Sequence, residues 1–100
     1  MKTKEELVQL GVEEFKADEI MLLQEKMMEQ AVKFQFRKKD GSVRDAVGTL
    51  RLDLMKQEDG TMWAPTGEGK PEPAGIMRFF DVVAGAWRCF TVTQFIAMEA

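Results

Sequence analysis

A mainly β domain with an N-terminal helical segment is the fold class this sequence predicts, and three observations carry the prediction. Apolar residues recur at helical spacing in the first thirty positions and at spacing two from Val32 onward. Two short glycine-containing turns, Lys39-Asp40-Gly41 and Ala84-Gly85, each separate two apolar runs, as hairpin turns do. A chain of 100 residues, 45% of them hydrophobic, suits one domain with its own core.

The elements follow in order. Thr3 and Glu6 form a capping-box pattern ahead of Leu7, Val8 and Leu10, and Gly11 reads as a helix stop. A second helical pattern runs from Glu13 to Gln30, with Ile20, Leu23, Met27 and Ala31 on one apolar stripe. Asp18 also suits a cap, so one broken helix and two helices both fit residues 1–30. Val32, Phe34 and Phe36 then alternate with Lys33, Gln35 and Arg37, a half-buried strand. A longer second strand is expected from Val43 to about Leu54, with Gly48 marking a bulge or bend. Residues 56–75 hold four glycines and all three prolines and read as a long loop, in which Met62 and Trp63 are the large apolar groups. Ile76 to Val83 has apolar residues on both faces and reads as a central strand. Trp87 to Val92 returns, residues 91–94 fit one 3₁₀ turn, and Phe95, Ile96 and Met98 close the chain as a short strand.

Five strands with a bent second one suit a small, partly closed barrel, because closure hides sheet edges. The expected architecture is therefore an SH3-like five-stranded barrel over residues 31–100, preceded by an acidic helical segment over residues 1–30 that packs on it or extends from it. A helix packed on an antiparallel meander, an α+β fold, is the alternative.

Composition narrows the chemistry. The chain has no histidine, which removes histidine general bases, catalytic triads and histidine metal ligands. Cys89 is the lone cysteine, so no intrachain disulfide can form, and its setting between Arg88 and Phe90 reads as a small buried side chain. Ser42 sits in a turn, no phosphate-binding glycine loop is present, and no spacing suggests a metal site. The expectation is a non-enzymatic protein without cofactor or metal. No apolar run approaches the roughly 18 residues of a membrane span, and a cytoplasmic location is the default. Eight methionines read mainly as core filling, with Met27-Met28 as a possible partner groove.

The net charge of −3 is unevenly spread. Residues 1–30 carry four lysines and eight acids, whereas residues 31–51 carry Lys33, Arg37, Lys38, Lys39, Arg44 and Arg51 against Asp40 and Asp45. This basic stretch, with Arg88, is the candidate site for nucleic acid or another anion, and Trp63 and Trp87 are candidate stacking aromatics. Its plainer reading is a solvated hairpin whose lysines keep an edge soluble. Glu13, Glu14, Asp18 and Glu19 are placed to lie against it as a mask.

The segments 32–41, Val47-Gly48-Thr49-Leu50, Arg78-Phe79-Phe80-Asp81 and Gly85-Ala86-Trp87-Arg88-Cys89-Phe90 resemble a family of short proteins from gut anaerobes and their phages. That resemblance covers about residues 31–98 and implies an SH3-like barrel of unknown function. Arg88, Phe90 and Phe95 are also similar to the Arg-x-Phe-x4-apolar ending of WYL-type regulatory domains, small barrels that sense nucleic-acid ligands. At the Trp-Tyr-Leu triplet for which those domains are named, this chain has Trp87-Arg88-Cys89. Two functions follow as expectations. One is a protein-interaction or assembly module, including self-association; the other is a nucleic-acid-binding accessory protein of a phage or mobile element that uses the basic hairpin.

Overall fold

The computed structural model describes residues 2–54 and 73–99. Two helices, α1 (Lys4–Gln9) and α2 (Glu14–Met27), precede strands β1 (Val32–Arg37), β2 (Val43–Thr49), β3 (Ile76–Asp81), β4 (Ala86–Thr91) and β5 (Phe95–Met98). The strands form one antiparallel sheet in the order β4-β3-β2-β1-β5. A 3₁₀ turn over Val92–Gln94 joins the two edge strands, as the spacing of residues 91–94 predicts.

The helical front forms by the local rules seen in the sequence. The Glu6 amide donates to the Thr3 hydroxyl at 3.2 Å, and Gly11 takes the positive φ of 100° that ends α1. There are two helices, and Asp18 lies inside the second rather than capping it. Lys4 holds Asp18 at 3.0 Å and Glu14 at 3.2 Å, and these hydrogen bonds, Asp18 first, raise the Lys4 pKa. Gln24 is buried and ties the chain start to α2. It accepts from the Lys2 amide at 3.1 Å and donates to the Lys2 carbonyl at 3.0 Å. Gln24→Ala is expected to lower stability by about 1–3 kcal/mol, since it orphans two buried backbone groups. Urea unfolding checks this, and a change below about 0.5 kcal/mol, the range of an ordinary surface substitution, contradicts it.

Helices and sheet share one apolar core. Leu7, Val12, Ala17, Ile20, Leu23 and Met27 meet Phe34, Phe36, Met77, Phe79, Phe90 and Phe95 in a continuous cluster. Its centre is aromatic, with Phe34 edge-on to Phe79 at 5.0 Å and Phe36 stacked on Phe90 at 5.3 Å. Met27 is part of this core while Met28 is exposed. Gly48 lies where β2 passes from β1 to β3, pairing with Val32 on one side and Asp81 on the other.

The structure departs from the expected elements in four places. Ala31 is exposed rather than on the helical stripe, because α2 stops at Met27. It stops there because the Met27 carbonyl accepts from the Leu50 amide at 2.8 Å and the Thr49 hydroxyl at 3.0 Å. The same bonds end β2 at Thr49, five residues short of the expected Leu54, and the alternating leucines run instead into a 3₁₀ turn over Leu52–Leu54. β3 ends at Asp81, where the Asp81 carboxylate accepts from the Val83 and Ala84 amides, both at 3.0 Å, and starts the turn. Cys89 is exposed: Phe90 takes the core face of β4, so its neighbour points out.

Candidate ligand groove

The first hairpin presents its cations because its turn is internally satisfied. Gly41, at φ 88°, lets the chain reverse, and the Lys38 amide donates to the Ser42 carbonyl at 2.8 Å. Asp40 accepts from the Ser42 hydroxyl at 2.6 Å and the Ser42 amide at 2.9 Å, and these bonds, the hydroxyl first, hold its carboxyl below the usual range. Arg37 donates to the Gly41 carbonyl at 2.6 Å, and Lys38 and Lys39 are left exposed at the tip.

Cross-strand pairing then separates the basic residues by face. Directly opposed residues in an antiparallel pair share a face. Arg44 opposes Phe36 and Arg88 opposes Phe79, so both arginines rise from the core side of the sheet at the mouth of the barrel. Between them lies Asp81, buried with its side chain 4% exposed. One Asp81 oxygen is 3.2 Å from Arg88 Nε and 3.6 Å from an Arg44 terminal nitrogen. Arg44 Nε is itself buried with no hydrogen-bond partner among the described residues.

The hairpin tip and β4 enclose a groove of about 610 Å³. Arg37, Lys38, Lys39, Arg44 and Arg88 line it with Asp40, over a floor that includes Phe36 and Phe90. Trp87 and Cys89 stand along its β4 side, with Trp87 39% exposed and edge-on to Phe80 at 5.9 Å. Five of the seven candidate cations thus come together with one candidate aromatic. The other two do not join them. Lys33 lies beside a second hollow of about 510 Å³ together with Asp45, Asp81 and Glu99. Arg51 contacts Asp53 at 2.6 Å and donates to the Glu29 carbonyl at 2.9 Å, at the helix end of the molecule. Trp63 and Met62 fall outside the described residues. The expected acidic mask is not seen: Glu14 and Asp18 engage Lys4, and Glu19 engages β5.

Asp81, which joins Arg44 and Arg88 beside the groove, is not among the candidates that the sequence offers. Its signal was available, a single acid closing the apolar run Ile76-Met77-Arg78-Phe79-Phe80, but only the fold shows that Arg44 and Arg88 converge on it. Among the described residues no group of histidine, cysteine, aspartate or glutamate could hold a metal ion, and no helix is long and apolar enough to cross a membrane.

These features define a class, a small open barrel with an N-terminal helical front. The chain belongs to the WYL_2 family, described as having an Sm-like SH3 beta-barrel fold, whose model matches residues 20–96. The match supports the similarity to WYL-type barrels rather than the one to short proteins of gut anaerobes and phages, and it begins inside α2, leaving α1 outside. No curated protein and no solved structure matches the chain.

Proposed function

We propose that this chain is a non-enzymatic binding module that works through the groove between the first hairpin and β4, and that its partner is a protein presenting an acidic segment. The observation that carries the reading is the convergence of five cations from three separated stretches of chain on one open groove. Their excess over Asp40 and Asp81 is positive on a molecule whose net charge is −3. Such local complementarity steers an acidic partner to this face and away from the acidic helices. The second reading, a nucleic-acid accessory protein of a phage or mobile element, draws on the exposed Trp87 beside the same cations, a platform on which a base can stack.

Charge reversal tests the surface. A fluorescein-labelled hexaglutamate is expected to bind the native protein at about 50 mM salt and to weaken toward about 200 mM. The combined variant Arg37→Glu, Lys38→Glu, Lys39→Glu is expected to weaken it at least about tenfold. An oligothymidylate of matched charge run in parallel decides between the readings. A variant that binds hexaglutamate as well as the native protein, or a native protein that binds neither probe, removes the groove as the working surface.

A further inference from the structure

We infer that β4 is a docking edge to which the partner adds an extended strand, its acidic side chains paired with the groove cations. The inference rests on the protein-binding reading above and specifies how the partner is held.

The sheet has two edges, and they are treated differently. The edge of β5 is covered by α2. The Met98 amide donates to the Glu19 carboxylate at 2.7 Å, and the Lys16 ammonium donates to the Phe95 carbonyl at 3.1 Å. Side chains placed on a strand's free main-chain groups block further pairing. On β4 the register identifies the free groups. The Val92 amide donates to the Gly75 carbonyl at 2.9 Å, and the pairing continues as Phe90 with Met77, Arg88 with Phe79 and Ala86 with Asp81. Hydrogen-bonded and non-hydrogen-bonded pairs alternate in an antiparallel ladder. Ala86, Arg88 and Phe90 therefore bond to β3, while Trp87, Cys89 and Thr91 direct their amides and carbonyls away from it. No hydrogen bond among the described residues reaches those six groups. An unpaired strand edge of this kind is a template for an added strand.

Charge chooses the occupant. The open edge runs beside Arg37, Lys38 and Lys39, with Arg88 on β4 itself. An added strand of alternating acidic and apolar residues sets its acids on the face of Arg88 and its apolar residues on the opposite face, beside Trp87 and Cys89. A second copy does not fit as well. Pairing β4 with its own copy brings two Arg88-bearing edges and two basic hairpins together, and pairing β4 with β5 of a copy meets the edge that Lys16 and Glu19 already occupy.

The test uses the full chain and the heptapeptide Glu-Val-Glu-Val-Glu-Val-Glu in three forms: unmodified, methylated on its valine amide nitrogens, and methylated on its two inner glutamate amide nitrogens. Methylation leaves the charge unchanged and removes the valine amide donors on one side of an extended strand, or the two inner glutamate donors on the other. The unmodified peptide is expected to bind and to slow hydrogen exchange at Trp87, Cys89 and Thr91. One methylated form is expected to lose at least about tenfold in affinity, the scale of lost main-chain hydrogen bonds, and the other to bind nearly as the parent. Equal binding by all three forms overturns strand addition and leaves the acidic-partner reading standing. Binding of an oligothymidylate with none of the peptides overturns both. Self-association that protects the same three amides without peptide assigns the edge to a second copy and overturns the inference.

Discussion

Gly48→Ala is expected to destabilise the protein by about 2–4 kcal/mol, in the range of core overpacking and its steric consequences. An ideal Cβ at this position stands 2.6 Å from Phe79 Cδ2, 3.2 Å from Phe79 Cγ and 3.0 Å from Phe34 Cε1. Those atoms cannot move aside cheaply. Both rings are within 1% of full burial and lie edge-on to one another at 5.0 Å, and Phe34 also meets Phe36 and Phe90. The backbone at Gly48 does not have the positive φ that favours glycine. Alanine in an unhindered strand position therefore gains about 0.5–1 kcal/mol over glycine, and the expected loss at Gly48 isolates the ring contact. Pairing Gly48→Ala with Phe79→Leu supplies the check. The double variant is expected to lose less than the sum of the single ones, because the smaller side chain vacates the space the methyl needs. Urea unfolding of the four proteins measures it, and an alanine variant as stable as the native chain refutes the packing argument.

Gly48 also shows where sequence reasoning reaches its limit. A glycine inside an alternating run signals a bend or a close approach, but the sequence does not say what approaches. The features that were readable are those decided within a few residues. Thr3 with Glu6, Gly11, the Lys39-Asp40-Gly41 turn and the single 3₁₀ turn before β5 depend on local backbone preferences, and β1 follows from alternation. Leu50, Leu52 and Leu54 alternate like a strand, yet the Thr49 hydroxyl and Leu50 amide are drawn to the Met27 carbonyl, from a helix end 22 residues earlier for Thr49. That long-range capture shortens the helix and the strand together, exposing Ala31. Residue type predicts a buried Cys89, whereas its exposure follows from which face of β4 reaches the core. The structure brings the candidates Arg37, Lys38, Lys39 and Arg44 to one groove with Arg88 and sets Lys33 and Arg51 elsewhere, because adjacency in sequence does not specify the face of a strand or the end of a barrel.

Asp81→Ala is expected to cost about 1–3 kcal/mol, because it leaves the Val83 and Ala84 amides without their acceptor and breaks a charge pair whose arginines are part-exposed. The carboxylate is almost fully enclosed, with Arg44 and Arg88 on one oxygen and the Val83 and Ala84 amides on the other. Its removal therefore disturbs the barrel mouth and the turn after β3 at once. Asp81→Asn separates the two roles. The amide oxygen can still accept from Val83 and Ala84, so the turn survives and the stability loss is expected to be smaller than for alanine. The negative charge between the arginines is gone, however, and the groove gains one net positive charge. Hexaglutamate is then expected to bind the asparagine variant more tightly than the native protein, with a steeper loss of affinity as salt rises. Stability and affinity move in opposite directions if Asp81 competes with the ligand for Arg44 and Arg88. They fall together if its main part is to hold those arginines in a binding pose. The geometry favours competition, because Arg88 already touches Asp81 through Nε and its side chain is 40% exposed, open to the groove on its other nitrogens. Paired thermal-unfolding and anisotropy measurements on the asparagine variant decide it, and weaker binding by a folded variant would reverse the assignment.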